Sequence, residues 1–139
     1  MPLRCFILAV LFAAAAGAEK SSYVVIVPAK SVITRVNRKF LAEIFLRRAT
    51  RWGDDSPIRP VDLSAESPAR GRFSQDILAR SVYSVKSYWQ QRIFSGEGLP
   101  PPEMSDDEAA VRYVASHPGA IGYVIAGTSL DGARAVEVD

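Results

Sequence analysis

The apolar run at residues 23–27, closed by Pro28, constrains the fold of this chain more than any other segment. All five residues are apolar and four of them are the β-branched residues Val and Ile. A strand with one solvent-facing side alternates apolar and polar residues, whereas a strand that is buried on both faces is apolar throughout. Strands of this second kind belong mainly to parallel sheets that are covered by helices. The run therefore predicts an α/β layered fold.

Helical and strand patterns follow one another along the rest of the chain. Asn37 can cap a helix with one apolar stripe that ends near Arg47. Ser67-Pro68 is a strong helix start, because a serine side chain accepts from free backbone N–H groups and proline suits the first helical position. The order of the patterns predicts one α/β domain with a short, mixed, mostly parallel sheet covered by helices. Further helices are predicted over 85–94 and from a Ser105 cap with Glu108 at capping-box spacing, and further strands over 58–63, 120–124 and, at a sheet edge, 133–138.

The first 18 residues have the pattern of a secretory signal. Arg4 precedes an apolar run over 5–16, and the small residues Ala16-Gly17-Ala18 follow it. This run is shorter than the roughly 20 residues that span a bilayer, and no later segment is long and apolar enough to do so. We therefore expect a signal peptide at 1–18 and a single domain at 19–139. That domain should be periplasmic or secreted, without stable membrane insertion.

Composition excludes several classes of protein. The chain has one Cys and one His, and Cys5 lies within the predicted signal peptide. Zinc sites and disulfide frameworks need more of these residues, and His117, isolated and followed by proline, is typical of a helix end rather than of a catalytic base. The 17 basic and 15 acidic residues form no long run of either sign, so no nucleic-acid partner is indicated. We expect a domain that is not an enzyme and holds no metal or cofactor.

Four aromatic residues are predicted to lie in the core. Tyr88, Trp89 and Phe94 fall at helical spacing, and Trp52 follows the first predicted helix. Aromatic side chains in such positions pack in cores more often than they stack on a ligand.

Three segments match a known pattern in order and in spacing. They are Leu41-Ala42-Glu43-Ile44-Phe45 with Thr50-Arg51-Trp52, then Ile58-Arg59-Pro60-Val61-Asp62 with Ser67 and Phe73, and finally Pro118-Gly119-Ala120-Ile121-Gly122-Tyr123-Val124. Together they resemble the phosphate-type periplasmic solute-binding proteins, the receptors of phosphate ABC transporters, over about residues 24–124. Such receptors have two lobes that close on the ligand, and the 121 residues left after cleavage cannot build both. The resemblance therefore implies a periplasmic-binding-protein-like fold that is reduced to about one lobe.

The resemblance also implies an oxyanion site, most of which this chain lacks. In the family, an Arg and a Ser-Gly-Thr at a helix N-terminus hold the anion through backbone N–H groups and the positive end of the helix dipole. Ser67 keeps the serine position, but Pro68 and Ala69 replace Gly and Thr, and Leu63 lies near the position of the Arg. Pro68 also has no N–H. Arg70 is the candidate substitute cation, so Ser67 and Arg70 are the predicted anion-binding residues.

A second departure from the family pattern concerns Arg47, where many relatives have Gly. If the backbone is left-handed at this position, Arg costs about 1 kcal/mol relative to Gly.

Two functions are compatible with this combination of features. The first is a non-catalytic exported binding domain that resembles the substrate-binding proteins of phosphate ABC transporters and weakly binds inorganic phosphate or another small anion. The alternative is a degenerate solute-binding lobe that acts as a protein-interaction module in the cell envelope. The loss of three of the four site positions favours the alternative. An exposed apolar patch in the folded protein would favour it further.

Overall fold

A computed structural model describes residues 23–139. The predicted signal peptide at 1–18 lies outside the described residues, as does its predicted cleavage site. Within 23–139, no helix is long and apolar enough to cross a membrane.

The described residues form four α-helices and one π-helical segment. Asn37 and Ser67 cap the first two α-helices through their side-chain oxygens, as predicted. The third α-helix starts three residues earlier than predicted, because Ser81 caps it. In the fourth, the Asp106 carboxylate caps the helix in place of Ser105 by accepting from the Ala109 N–H at 2.8 Å. The elements are α1 Arg38–Phe45, α2 Pro68–Phe73, the π-helical segment Ser74–Leu78 that continues α2, α3 Val82–Phe94 and α4 Asp107–Ser116.

Arg47 follows the C-cap of α1 in the left-handed conformation, with φ of 59°. The backbone at Arg47 is therefore left-handed, so Arg costs about 1 kcal/mol there relative to Gly.

The described strands form a five-stranded sheet and a separate two-stranded pair. They are β1 Tyr23–Pro28, β2 Arg35–Val36, β3 Arg59–Pro60, β4 Asp62–Leu63, β5 Glu103–Met104, β6 Ala120–Ile125 and β7 Ala133–Val138. The larger sheet has the order β2-β7-β1-β6-β3, and β4 pairs with β5. The mixed α/β fold predicted from the sequence is confirmed.

The direction of the strands differs from the prediction of a mostly parallel sheet. β1 pairs antiparallel with both β6 and β7 over four residues each, whereas the parallel pairings β2–β7, β3–β6 and β4–β5 are two residues long. The apolar run of β1 indicates that both of its faces are covered, but it contains no information about the direction of its neighbours. The connections between the strands set that direction.

Two strand predictions need correction, because a pattern along the chain does not state which strands pair with one another. The single strand predicted over 58–63 is divided between the two sheets: β3 pairs with β6, while β4 pairs with β5. The strand at 133–138 is not at an edge, because the short strand β2 pairs with its outer side.

The centre of the core is aromatic. The rings of Phe73 and Tyr123 stack in parallel with centroids 3.9 Å apart, and the ring of Phe45 lies 4.7 Å from that of Phe73. Each of these three side chains is almost fully buried. α2 thereby packs against β6 and against α1, which fixes the start of α2 relative to the sheet.

The aromatic residues predicted for the core divide into two groups. Trp52 and Trp89 are buried, Tyr88 is half-buried, and Phe94 is 95% exposed. Phe94 is nine residues from the buried Val85, which places it on the opposite side of α3. The prediction of a core position was wrong for Phe94.

Candidate functional site

Ser67 is occupied by its role as the cap of α2. Its Oγ accepts from the Arg70 N–H at 3.4 Å, and its carbonyl accepts from the same N–H at 3.1 Å. Pro68 occupies the first turn of α2, which has only six residues. The start of α2 therefore offers fewer free N–H groups than a helix that begins without proline.

Arg70 is buried, with 5% of its surface exposed, and its guanidinium contacts two carboxylates. Its Nη1 donates to the Leu63 carbonyl and, at 3.2 Å, to Oε1 of Glu103. Its Nε lies 3.4 Å from Oδ1 of Asp62 but donates no hydrogen bond within the part of the chain that the structure describes. The charge of Arg70 is therefore balanced inside the protein.

Asp62 and Tyr123 complete a buried polar network around Arg70. The Tyr123 hydroxyl and the Leu63 N–H both donate to Oδ1 of Asp62. Burial raises the pKa of Asp62, although the Arg70 guanidinium and the Tyr123 hydroxyl oppose this effect. Burial also raises the pKa of Tyr123, and the neighbouring Asp62 carboxylate raises it further. Tyr123 is therefore neutral and serves as a hydrogen-bond donor.

The pKa of Arg70 follows from the same contacts. Burial alone lowers it, but the carboxylates of Asp62 and Glu103 outweigh the burial and raise it. Arg70 is thus a charged group that ties α2 to β4 and β5. An oxyanion at this position would have to displace a carboxylate from the guanidinium, and Glu103, with 51% of its side chain exposed, is the more accessible of the two.

A cavity of about 660 Å³ lies elsewhere, at the carboxyl end of β1. Trp52, Lys30, Val32 and Gly119 are among its lining residues, and neither Ser67 nor Arg70 reaches it. Across residues 23–139 there is no cluster of His, Cys, Asp and Glu that could hold a metal ion.

The exposed side of α3 carries large apolar residues. Tyr83 is 80% exposed and Phe94 is 95% exposed. They are eleven residues apart, or about three helical turns, so they lie on the same face. Ile93 is 49% exposed, and Leu99, in the loop after α3, is 67% exposed. We call Tyr83 and Phe94, which share this face, the α3 surface. Helical spacing in the sequence predicts that Tyr83 and Phe94 share a face, but not that this face is solvent-exposed.

Comparison with models of known protein families gives no match, and comparison with curated proteins gives none either. Solved structures do match. One is described as a phosphate ABC transporter substrate-binding protein with bound phosphate from Clostridium perfringens, with a TM-score of 0.67, 19% identity, and coverage of 85% of this chain and 45% of that chain.

Two further solved structures match to a similar extent. An ABC-type phosphate transport receptor from Vibrio cholerae has a TM-score of 0.65 and 17% identity, over 84% of this chain and 46% of the receptor. PstS from Borrelia burgdorferi has a TM-score of 0.65 and 14% identity, over 85% of this chain and 47% of that protein.

The chain therefore spans less than half the length of the solved structures that it matches. The predicted resemblance to phosphate-type solute-binding proteins, reduced to about one lobe, is confirmed at the level of the fold.

Proposed function

We propose that this chain is a non-catalytic binding domain of the cell envelope, with the fold of a phosphate-receptor lobe, and that it recognises a protein partner. The observation that carries this proposal is the state of Arg70, whose guanidinium already contacts Asp62 and Glu103. To bind an external anion, the Arg70 guanidinium would have to break its contacts with these carboxylates, and breaking a buried ion pair is costly. Pro68 further weakens the helix start as an anion site, because it supplies no N–H.

The α3 surface is the candidate docking face for the partner. Burying a large apolar side chain contributes about 1.5–3 kcal/mol, so Tyr83 and Phe94 together supply a substantial share of a moderate affinity. Lys86, an exposed residue of α3 three positions after Tyr83, adds a positive charge beside this face. The partner that fits this surface presents an apolar patch with an acidic group beside it.

Site-specific photo-crosslinking in the envelope of the native cell tests this proposal. A benzophenone amino acid in place of Phe94 should give a defined adduct with one protein, and the additional change Tyr83→Ser should reduce its yield. The same crosslinker in place of Asp131, an exposed residue in the turn before β7, is the matched control. The absence of an adduct at position 94, or the same adduct at both positions, contradicts the proposal.

Weak oxyanion binding at Ser67 and Arg70 is the second candidate function. The observation in its favour is the buried Nε of Arg70, which donates no hydrogen bond among the described residues. Displacement of the half-exposed Glu103 side chain would open the guanidinium to a small anion such as inorganic phosphate.

Thermal unfolding with and without phosphate, at fixed ionic strength, separates the cap role of Ser67 from this ligand role. Ser67→Ala should cost about 1 kcal/mol through loss of the cap, a few degrees in Tm for a domain of this size. Phosphate at a hundred times its Kd adds about 2.7 kcal/mol to the stability of a protein that binds it. If Ser67 and Arg70 bind phosphate, that increment shrinks in Ser67→Ala and in Arg70→Lys. If wild type shows no increment, or if the increment is the same in wild type and in both variants, Ser67 is a cap alone.

A further inference from the structure

Three arginines from separate parts of the chain converge on the ring of Tyr88. The guanidinium carbons of Arg48, Arg80 and Arg92 lie 5.7, 5.2 and 5.3 Å from the ring centroid. Two points at 5.7 and 5.3 Å from one centroid are at most 11.0 Å apart, so the three guanidinium groups are grouped around a single aromatic ring. Attraction to the ring stabilises each cation, while the three like charges repel one another.

The backbone around Tyr88 holds this cluster in place. The Tyr88 hydroxyl donates to the Leu46 carbonyl at 2.8 Å, which ties α3 to the end of α1. Arg48 directly follows Arg47, and Arg80 directly follows Ala79, and both preceding residues are left-handed with φ of 59° and 52°. Each of these conformations costs a non-glycine residue about 1 kcal/mol or more. The fold therefore maintains two strained turns, each directly before one of the arginines.

The carboxylates near the cluster do not balance its charge. Glu43 lies 4.0 Å from Arg48, and Glu97, with a largely exposed side chain, lies 3.5 Å from Arg92. Two carboxylates at such distances leave a net positive charge on the three arginines. Arg80 takes part in no ion pair within residues 23–139. The Nε of Arg92 is buried and donates no hydrogen bond to any described residue.

We propose that Arg48, Arg80 and Arg92 form a binding site for a polyvalent phosphate group, such as a diphosphate or a phosphomonoester. The planar guanidinium matches two phosphate oxygens at once, which favours phosphate for a site made only of arginines. A ligand with a single carboxylate carries the same charge as the side chain of Glu43 or Glu97, which already lie beside the arginines. A diphosphate carries at least two negative charges and can contact more than one of the cations. This site is separate from Ser67 and Arg70 and does not depend on the protein partner proposed above.

Calorimetric titration of the protein at 19–139 with sodium diphosphate tests the site. The principal variant is Arg80→Gln, because the loss of Arg80 strands no carboxylate among the described residues. Arg72→Gln, an exposed arginine on α2, is the matched control. We expect diphosphate affinity to fall at least about tenfold in Arg80→Gln, the effect of losing one charge-assisted contact, and to stay unchanged in Arg72→Gln. Absence of binding in wild type at millimolar diphosphate, or equal affinity in both variants, overturns the proposal.

Sedimentation with vesicles distinguishes the two sources of such a phosphate group. One set of vesicles contains phosphatidylcholine with phosphatidate, and the other contains phosphatidylcholine alone. Binding to the first set alone, lost in Arg80→Gln and competed by diphosphate, assigns a lipid headgroup as the natural source. Diphosphate binding without vesicle binding assigns a soluble ligand. The crosslinking through position 94 reports on the protein partner separately, so failure of one proposal leaves the other testable.

Discussion

Arg47 is the residue at which this chain departs most clearly from its own local preference. Its φ of 59° places the backbone in a left-handed conformation that glycine adopts without strain. Ala79 is a second case, with φ of 52° at the end of the π-helical segment. Each of these residues directly precedes an arginine of the Tyr88 cluster.

Replacing Arg47 by glycine should stabilise the protein. Arg47→Gly removes the left-handed strain and should raise the free energy of unfolding by about 1 kcal/mol. Urea denaturation measures this as a higher midpoint with an unchanged slope. Arg47→Ala is the control, because it removes the same charge but keeps the Cβ and should bring no such gain. Equal stability of the two variants would show that the backbone conformation is not the cause.

Among the elements, the pairing of β3 with β6 depends on a close approach at Gly119. A Cβ at this position would lie 2.4 Å from the Pro57 carbonyl oxygen. The Gly119 carbonyl accepts from the Arg59 N–H and from Nε1 of Trp52, both at 3.0 Å. The glycine of the Pro118-Gly119 motif therefore lets two segments of backbone meet.

Gly119→Ala should be more destabilising than Gly127→Ala. Both glycines have positive φ, of 80° and 93°, but a Cβ at Gly127 would meet nothing within 4 Å. Gly127→Ala should therefore cost only the backbone strain of about 1 kcal/mol, whereas Gly119→Ala adds the clash with Pro57. Thermal unfolding of the two variants measures the difference. Similar losses at both positions would rule out the close approach as the reason for glycine at 119.

The π-helical segment is connected to β1 and α1 through Asp76. The Tyr23 hydroxyl donates to its Oδ2, and Nη1 of Arg38 lies 2.6 Å from its Oδ1. The hydrogen bond from Tyr23 lowers the pKa of Asp76, burial opposes this, and Arg38 lowers the pKa further. The net shift is downward from 3.8, so the folded protein favours the ionised carboxylate.

The stabilisation by Asp76 should depend on pH in the acid range. A carboxylate with a depressed pKa in the folded state stabilises the protein fully above its unfolded pKa. That stabilisation is lost as the pH falls through the folded-state pKa. The difference in unfolding free energy between wild type and Asp76→Asn should thus be constant near neutral pH and shrink below about pH 3.8. Tyr23→Phe should show the same trend at smaller size, and a difference that is independent of pH down to pH 2 would contradict it.

At the scale of the whole molecule, the chain packs one aromatic core around β1 and β6, with a fold that covers less than half of the matching phosphate receptors. The described fold thus corresponds to about one lobe of a periplasmic-binding-protein-like fold. Its two candidate surfaces, the α3 surface and the Tyr88 arginine cluster, are both built on α3. They lie on different sides of that helix, since Arg92 is nine residues from Tyr83.

Export is the prediction that concerns the entire chain. Expression of the full sequence in a Gram-negative host should yield a periplasmic protein whose first residue is Glu19, as measured by mass spectrometry. Ala18→Leu removes the small residue at the predicted cleavage site and should leave the precursor uncleaved. An intact species beginning at Met1, found in the cytoplasm alone, would contradict the prediction.

The sequence by itself determined the features that depend on neighbours along the chain. The caps Asn37 and Ser67, the apolar stripe of α1 and the buried strand β1 are all local patterns of spacing and side-chain chemistry. The order of these elements was sufficient to predict a mixed α/β fold, and the motif segments at 41–52, 58–73 and 118–124 carried the resemblance to one lobe of a phosphate receptor.

Only the tertiary structure decided how these elements meet. Some features join residues that are far apart in the chain: the antiparallel neighbours of β1, the pairing of Arg70 with Glu103 and the convergence of three arginines on Tyr88. The exposure of Phe94 depends instead on which element covers that face of α3. Periodicity states which residues share a face, but it does not state which other element packs against that face. The charge available to a ligand depends on such packing. A buried arginine beside two carboxylates and an arginine without an ion-pair partner are the same residue in the sequence, and only the packing distinguishes them.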